Sequence, residues 1–244
     1  MSPFMAELIG TMLLILLGNG VVANVVLRNT KGNDSGWIVI TAGWAMAVFV
    51  GVLVSQDYSG AHLNPAVTLG LAAAGSFPLV EVVPYILAQA AGAAIGQTLV
   101  WLSYHRHFDA TDDRDAKLAT FCTAPAIRNP FSNLTTEIIG TFVLVFTAMS
   151  MAAPSIEIEG IESARVGLGA IGALPVGLLV FGIGLSLGGP TGYAINPARD
   201  LVPRIMHMIL PIRDKRDSDW GYSWVPVIGP ILGGFLAASV YLAV

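Results

Sequence analysis

The sequence predicts an all-α membrane protein with six transmembrane helices and two re-entrant half-helices, arranged as an inverted repeat. Three observations support this fold class. Only 11% of the 244 residues are charged and 55% are hydrophobic, whereas soluble domains carry about 25% charged residues. The apolar residues form long uninterrupted blocks, and two short motifs recur in the same order in both halves of the chain.

Six apolar blocks are long enough to cross a bilayer, which requires about 20 residues in a helix. They lie at Phe4–Leu27, Trp37–Val54, Val80–Tyr104, Leu134–Ala152, Val166–Leu187 and Trp224–Val244. The first block has no basic segment before it and is longer than the apolar part of a signal peptide, so we interpret it as a resident span. Two further blocks, Pro65–Ala74 and Pro197–Leu210, are too short to span and are typical of re-entrant segments.

The two halves of the chain resemble each other. Glu7 matches Glu137 at nearly the same offset at which Asn64 matches Asn196. Each half holds three spans, an odd number, so the second half must enter the membrane in the opposite orientation. We therefore predict one domain over residues 1–244, made of the repeats 1–104 and 133–244 and a charged, solvated loop at 105–132. Inverted repeats place their functional site where the two halves meet near the membrane centre.

The motifs Asn64-Pro65-Ala66 and Asn196-Pro197-Ala198 open the two short blocks. Asn is a good N-cap and Pro is favoured at the first helical position, while Pro also keeps the preceding residue extended. Each motif therefore predicts a half-helix that follows extended backbone. The carbonyls that we expect along the pore are those of Gly60, Ala61, His62, Gly192 and Ala194. Paired helix N-termini repel cations and protons, while the Asn amides donate to neutral hydroxylated solutes.

Over essentially its whole length the sequence resembles the major intrinsic protein family, the aquaporins and glycerol facilitators. The matching stretches are Ala6–Thr11, Ser59–Thr68 and Gly192–Asp200. The resemblance implies one pore per subunit, in a homotetramer within the lipid bilayer of the cell membrane, with cytoplasmic termini. It also implies a passive channel for glycerol, water and other small uncharged solutes that excludes ions and protons.

The resemblance further implies which residues form the narrowest part of the pore. Carried over by their distance from the motifs, these are Trp44, Gly184, Tyr193 and Arg199. Gly184 stands where water-selective relatives usually place His, so the position has room for a carbon chain, and Asp200 is common in the glycerol branch. Tyr193 stands where Phe is frequent, so its hydroxyl affects the preference among solutes. Three acidic residues are implied to support the loops: Glu7, Glu137 and Asp200.

The positive-inside rule disagrees with cytoplasmic termini, because only Arg165 would then lie on the cytoplasmic side. The basic residues that would face outward are Arg28, Lys31, Arg106, Arg114, Lys117, Arg128, Arg204, Arg213, Lys215 and Arg216. We keep cytoplasmic termini because the resemblance spans the chain.

Three other functions stay open. One is a water-selective channel, against which Gly184 and Asp200 argue. Another is an ion- or proton-coupled transporter, which would use carboxylates such as Glu7 and Glu137. The third is a membrane enzyme, although the sequence has no recognisable nucleophile–base pair. We expect no cofactor and no metal site, interpret Cys122 as an ordinary loop thiol, and find in the net charge of −4 no reason to expect a nucleic-acid partner.

Overall fold

The computed structural model describes residues 1–151, 155–158, 161–165 and 169–244. In this part of the chain six helical segments are long and apolar enough to cross a membrane. They are α1 (Pro3–Val26), α2 (Trp37–Ser59), α4 (Leu79–Ala110), α6 (Pro130–Ser150), α7 (Leu174–Leu187, preceded by a 3-10 turn at Gly169–Ala173) and α9 (Val225–Ala243). The six predicted spans are thus confirmed, except that residues 152 and 166–168 of two predicted blocks lie outside the described residues.

Two shorter helices match the predicted half-helices, α3 (Pro65–Ala73) and α8 (Pro197–Ile209). Asn64 and Asn196 are their N-caps and have extended backbone. The Asn64 Oδ1 accepts from the Ala66 amide at 2.8 Å, and the Asn196 Oδ1 accepts from the Ala198 amide at 3.0 Å. Each proline occupies the first helical turn, where the N–H that it lacks has no helical partner.

The segment between the repeats differs from the solvated loop that we predicted at 105–132. Helix α4 continues to Ala110, and a further short helix, α5, covers Arg114–Ala119. Lys117 is buried, and its Nζ donates to the carbonyl of Arg213 at 2.6 Å. Cys122 is also buried. The charged residues led us to expect solvent throughout, but the end of this segment packs into the protein.

Glycines at related positions let the helices of each repeat approach closely. A Cβ on Gly92 or Gly96 of α4 would lie 2.2 Å from the Leu8 carbonyl oxygen or 2.4 Å from the Met12 carbonyl oxygen of α1. In the second repeat, a Cβ on Gly233 of α9 would lie 2.5 Å from a carbonyl oxygen of α6. Small residues at helix contacts are typical of membrane helices. The two repeats therefore use the same kind of packing.

A short antiparallel ribbon connects α6 and α7, formed by β1 (Ser155–Ile158) and β2 (Ile161–Arg165). The sequence analysis did not predict it. It lies between two spanning helices and leaves the all-helical membrane architecture unchanged.

Candidate pore and constriction

A cavity of about 310 Å³ lies where the two re-entrant loops meet. Its polar wall comes from residues 60–64 of the first loop and residues 193–196 of the second, together with Arg199. Its apolar wall includes side chains on the surrounding helices, among them Leu14, Trp44, Val48, Val52, Leu144, Val176 and Val180. The cavity thus combines hydrogen-bonding groups with an aliphatic and aromatic surface.

The backbone of both loops has a positive φ at every second residue before the half-helix. The values are +53° at Ala61 and +51° at Leu63, then +38° at Tyr193 and +44° at Ile195. Left-handed backbone is uncommon for residues other than glycine and costs about 1–2 kcal/mol each. The segments are therefore not simply extended, as we had expected, and other contacts must hold them in this shape.

Two buried glutamates hold the loop backbones. Glu7 on α1 accepts from the amides of His62 and Leu63 at 2.9 and 2.7 Å, and its carboxylate also accepts from Ser59 and Gln89. Glu137 on α6 occupies the equivalent place in the second repeat. It accepts from the amides of Ala194 and Ile195 at 3.0 and 2.8 Å. Hydrogen bonds of a carboxylate to backbone amides are among the stronger ones in proteins.

The two asparagine side chains bond across the repeat boundary. The Asn64 Nδ2 donates to the Ile195 carbonyl at 2.7 Å, and the Asn196 Nδ2 donates to the Leu63 carbonyl at 2.8 Å. Each amide oxygen is used within its own half-helix, as described above. Since an amide nitrogen has two N–H groups, each asparagine keeps a second donor whose orientation is fixed by these bonds.

At one end of the cavity, Arg199 lies over the ring of Trp44, with its Cζ 4.3 Å from the ring centroid. The indole rests on Gly18 of α1, where a Cβ would lie 2.3 Å from the Trp44 ring. Tyr193 lines the same cavity. Among the described residues, neither the Tyr193 hydroxyl nor the Arg199 Nη1 has a hydrogen-bond partner. An aromatic face and unpaired polar groups are thus brought together at this end.

Gly184 is close to Tyr193 but is not part of the cavity lining among the described residues. A Cβ on Gly184 would lie 2.8 Å from the Tyr193 Cζ and 2.9 Å from the Thr41 Cγ2. We expected the missing side chain to leave room for a solute. In the structure the Tyr193 ring lies in the space beside Gly184.

Comparison with known proteins identifies the family. The sequence model described as "Major intrinsic protein" matches residues 1–241. The chain belongs to the major intrinsic protein family. It is 57% identical over 241 residues to the "Probable glycerol uptake facilitator protein" of Thermotoga maritima, which covers 99% of this chain and 98% of that protein.

Two further proteins are similar to this chain over most of its length. A "Glycerol uptake facilitator protein" of Streptococcus pneumoniae is 56% identical over 241 residues, with 99% of this chain and 98% of that protein covered. The X-ray structure of the aquaglyceroporin from Plasmodium falciparum matches with a TM-score of 0.81 and 32% identity. That match covers 98% of this chain and 93% of the other.

In this member of the family, Asp200 connects the second half-helix to two loops. Its carboxylate accepts from both the amide and the hydroxyl of Thr123, at 2.7 and 2.8 Å. It also forms a fully buried ion pair with Arg204, which in turn donates to the carbonyls of Thr123 and Ser218. Arg204, one of the basic residues on the side opposite the termini, is buried. Asp200 and Arg204 are four residues apart on α8, and this spacing is the sequence signal from which the ion pair could have been predicted.

The structure brings most of the predicted pore residues together. Of the five predicted carbonyl positions, all but Gly192 belong to residues that line the cavity. Leu63 and Ile195 were missing from the prediction, although their carbonyls accept the asparagine amides across the repeat boundary. Their position directly before each Asn was the available signal. In the described residues, no group of three or more His, Cys, Asp or Glu side chains is arranged to hold a metal ion.

Proposed function

We propose that this chain is a passive channel for glycerol and other small uncharged solutes, which also passes water and excludes ions and protons. The observation that carries the proposal is the two-sided cavity at Arg199 and Trp44. A polyol has a C–H edge and a hydroxyl edge. The aromatic and aliphatic wall accommodates the first, and the loop carbonyls, asparagine amides and guanidinium bond to the second. The similarity to proteins named glycerol uptake facilitators supports this substrate class.

We assign the selectivity filter to Trp44, Tyr193 and Arg199, with Gly184 determining where the Tyr193 ring lies. An ion entering this cavity loses its hydration shell and meets the fixed charge of Arg199. It then meets the N-termini of α3 and α8, each with a partial positive charge of about half a unit. Neutral solutes exchange their hydrogen bonds to water for bonds to the loops, so they cross without this electrostatic barrier.

A coupled transporter would need carboxylates that take up and release a proton or sodium ion. Glu7 and Glu137 are buried and already accept bonds from two backbone amides each. This arrangement favours a structural role for both, and it therefore favours a channel over a transporter. Because these bonds occupy both carboxylates, neither Glu7 nor Glu137 is free to act as the nucleophile or general base of an enzyme.

We also propose the setting in which the channel works. The chain is a multi-pass protein of the cell membrane, with cytoplasmic termini and four copies in a homotetramer. The family membership supports this assembly, and the six apolar spans fit the bilayer. Glycerol, water and similar neutral solutes are the proposed small-molecule partners.

Gly184→Ala tests the filter in purified protein reconstituted into liposomes. The added methyl group must displace the Tyr193 ring or Thr41, because it would lie under 3 Å from both. We expect glycerol permeability to fall by about tenfold and water permeability by less, since overpacking by one methyl costs about 1–3 kcal/mol. Stopped-flow light scattering measures both rates.

Gly182→Ala is the matched control, because a Cβ there meets no atom within 4 Å in the described part of the chain. It should leave both permeabilities unchanged. Wild-type protein that conducts water but not glycerol would identify a water-selective channel. Glycerol uptake that saturates at low concentration or collapses with the proton gradient would identify a coupled transporter.

A further inference from the structure

Trp37, the first residue of α2, contacts the ring of Tyr193 and the backbone of Gly184 without belonging to either sequence motif. Its ring lies edge-on to the Tyr193 ring, with centroids 5.8 Å apart and an interplanar angle of 82°. Its indole Nε1 donates to the Gly184 carbonyl at 3.1 Å. The residue therefore touches the aromatic wall of the proposed filter and also the helix behind that wall.

The hydrogen bond ties the start of α2 to the end of α7. Gly184 is in the last turn of α7, where carbonyls run out of helical partners. The indole N–H of Trp37 bonds to one of these carbonyls. Because Gly184 also abuts the Tyr193 ring, the bond fixes a surface on which that ring rests.

The Tyr193 ring projects from backbone with a left-handed φ of +38°, and its own contacts are with glycines and with Trp37. The ring lies against Gly184, and at Gly188 a Cβ would lie 2.5 Å from the Tyr193 Cδ1 and 2.7 Å from the Trp37 Cζ2. Tyr193 lines the pore cavity, whereas these supporting residues are not in its lining among the described residues. They hold the ring from the side away from the cavity.

Trp37 also faces a second cavity of about 760 Å³. This outer cavity has charged residues on its wall, including Asp34, Asp113, Arg128 and Arg216. Trp37 is 41% exposed. One part of the indole is thus in contact with solvent in the outer cavity, while another supports the wall of the inner one.

We propose that Trp37 is a positioning residue that sets the width of the constriction by holding the Tyr193 ring. It thereby favours three-carbon over four- and five-carbon polyols, because each additional C–OH unit of a longer chain must pass the same narrow point. The inference rests on the proposed function and adds a residue on which its specificity depends. It also makes Trp37 a specificity determinant that acts through Tyr193.

The test compares Trp37→Phe and Trp37→Ala with the wild type in liposomes, using glycerol, erythritol and ribitol. Phe keeps an aromatic ring but lacks the N–H, while Ala removes both contacts. We expect the ratio of erythritol to glycerol permeability to rise by about threefold or more in Trp37→Ala, since losing a typical hydrogen bond shifts the population of the Tyr193 ring positions by about this factor. The ratio for Trp37→Phe should lie between those of the wild type and Trp37→Ala. Trp224→Ala is the control, because Trp224 is similarly exposed and lines neither cavity.

The same substitution in a Tyr193→Ala background separates positioning from general loosening. If Trp37 acts through Tyr193, the ratio should no longer respond to Trp37→Ala. An unchanged ratio in the Trp37 variants, or an equal change in Trp224→Ala, overturns the inference. If Trp37→Ala does not insert, Trp37→Phe decides by the same ratio.

Polyol conduction by the wild-type protein distinguishes failure of this inference from failure of the proposed function. Wild-type protein that conducts no polyol overturns both. Wild-type protein that conducts glycerol, with Trp37 variants that keep its selectivity, overturns the role of Trp37 alone.

Discussion

Four non-glycine residues with left-handed backbone shape the wall of the pore, and they would relax without the glutamates behind them. Ala61 and Leu63 alternate with His62, as Tyr193 and Ile195 alternate with Ala194. A carboxylate has two oxygens, so Glu137 can accept from two successive amides while offering no donor of its own. This is why a glutamate, and not a glutamine, suits the position.

Glu137→Gln should therefore impair both stability and conduction. The glutamine amide has one oxygen, so one of the buried amides of Ala194 and Ile195 loses its acceptor and faces an N–H group. Leaving one buried donor unpaired costs about 1–3 kcal/mol. We expect a lower melting temperature in detergent and glycerol permeability reduced by about tenfold, both measured on purified protein.

Glu81→Gln serves as the comparison, because Glu81 is exposed in the first turn of α4. It should change neither quantity. Wild-type behaviour of Glu137→Gln would mean that the second loop keeps its shape without the carboxylate.

Pairs of helices depend on contacts with almost no side chain between them. Helix α1 packs on α4 at Gly92 and Gly96, and α6 packs on α9 at Gly229 and Gly233. In a lipid environment, helices gain little from burying apolar surface against each other, so close packing carries much of the association. These glycines place the helices that bear Glu7 and Glu137 at the distance the loops require.

Gly96→Ala tests this dependence. The new Cβ would lie 2.4 Å from the Met12 carbonyl oxygen, so α1 and α4 must separate. We expect destabilisation of about 1–3 kcal/mol, measured as a lower unfolding temperature in detergent. Gly20→Ala on α1, where a Cβ meets no described atom within 4 Å, should be neutral or stabilise by up to about 1 kcal/mol. Equal effects of the two substitutions would contradict the role of close packing.

The helices and half-helices were predictable because hydropathy and the Asn-Pro-Ala capping pattern act locally. The buried part of the inter-repeat segment was not, because charge alone suggested solvent. Lys117 is buried because its ammonium group reaches a carbonyl of a distant loop, and Arg204 because it pairs with Asp200. The position of the Tyr193 ring over Gly184 depends on how α2 and α7 pack, which no local pattern encodes.

The six spans put both termini on the same side of the membrane. Lys117 and Arg204 are buried, which leaves unchanged the side of the membrane on which they lie. The remaining basic residues still lie mostly on the side opposite the termini. The proposed cytoplasmic termini thus run against the positive-inside rule and need a direct test.

Single cysteines on either side provide that test. Cys122 is buried, and burial raises the pKa of its thiol, so the parent protein should react little with a maleimide. Ser35 and Ser76 are exposed in loops on opposite sides of the bundle. With cytoplasmic termini, a membrane-impermeant maleimide should label Ser35→Cys in intact cells and Ser76→Cys only after permeabilisation. The reverse pattern would place the termini outside.

The bonds between each asparagine and the opposite loop have a consequence for how the protein is made. Asn64 and the Ile195 carbonyl that it bonds are 131 residues apart in the chain. A ribosome adds about 5–20 residues per second, so Asn64 is synthesised roughly 7–26 s before its partner. During that interval the first half can anchor its loop on Glu7, but its asparagine has no acceptor from the second half. The centre of the pore is therefore completed late in synthesis. Until then the growing chain has no finished path along which solutes could cross the membrane.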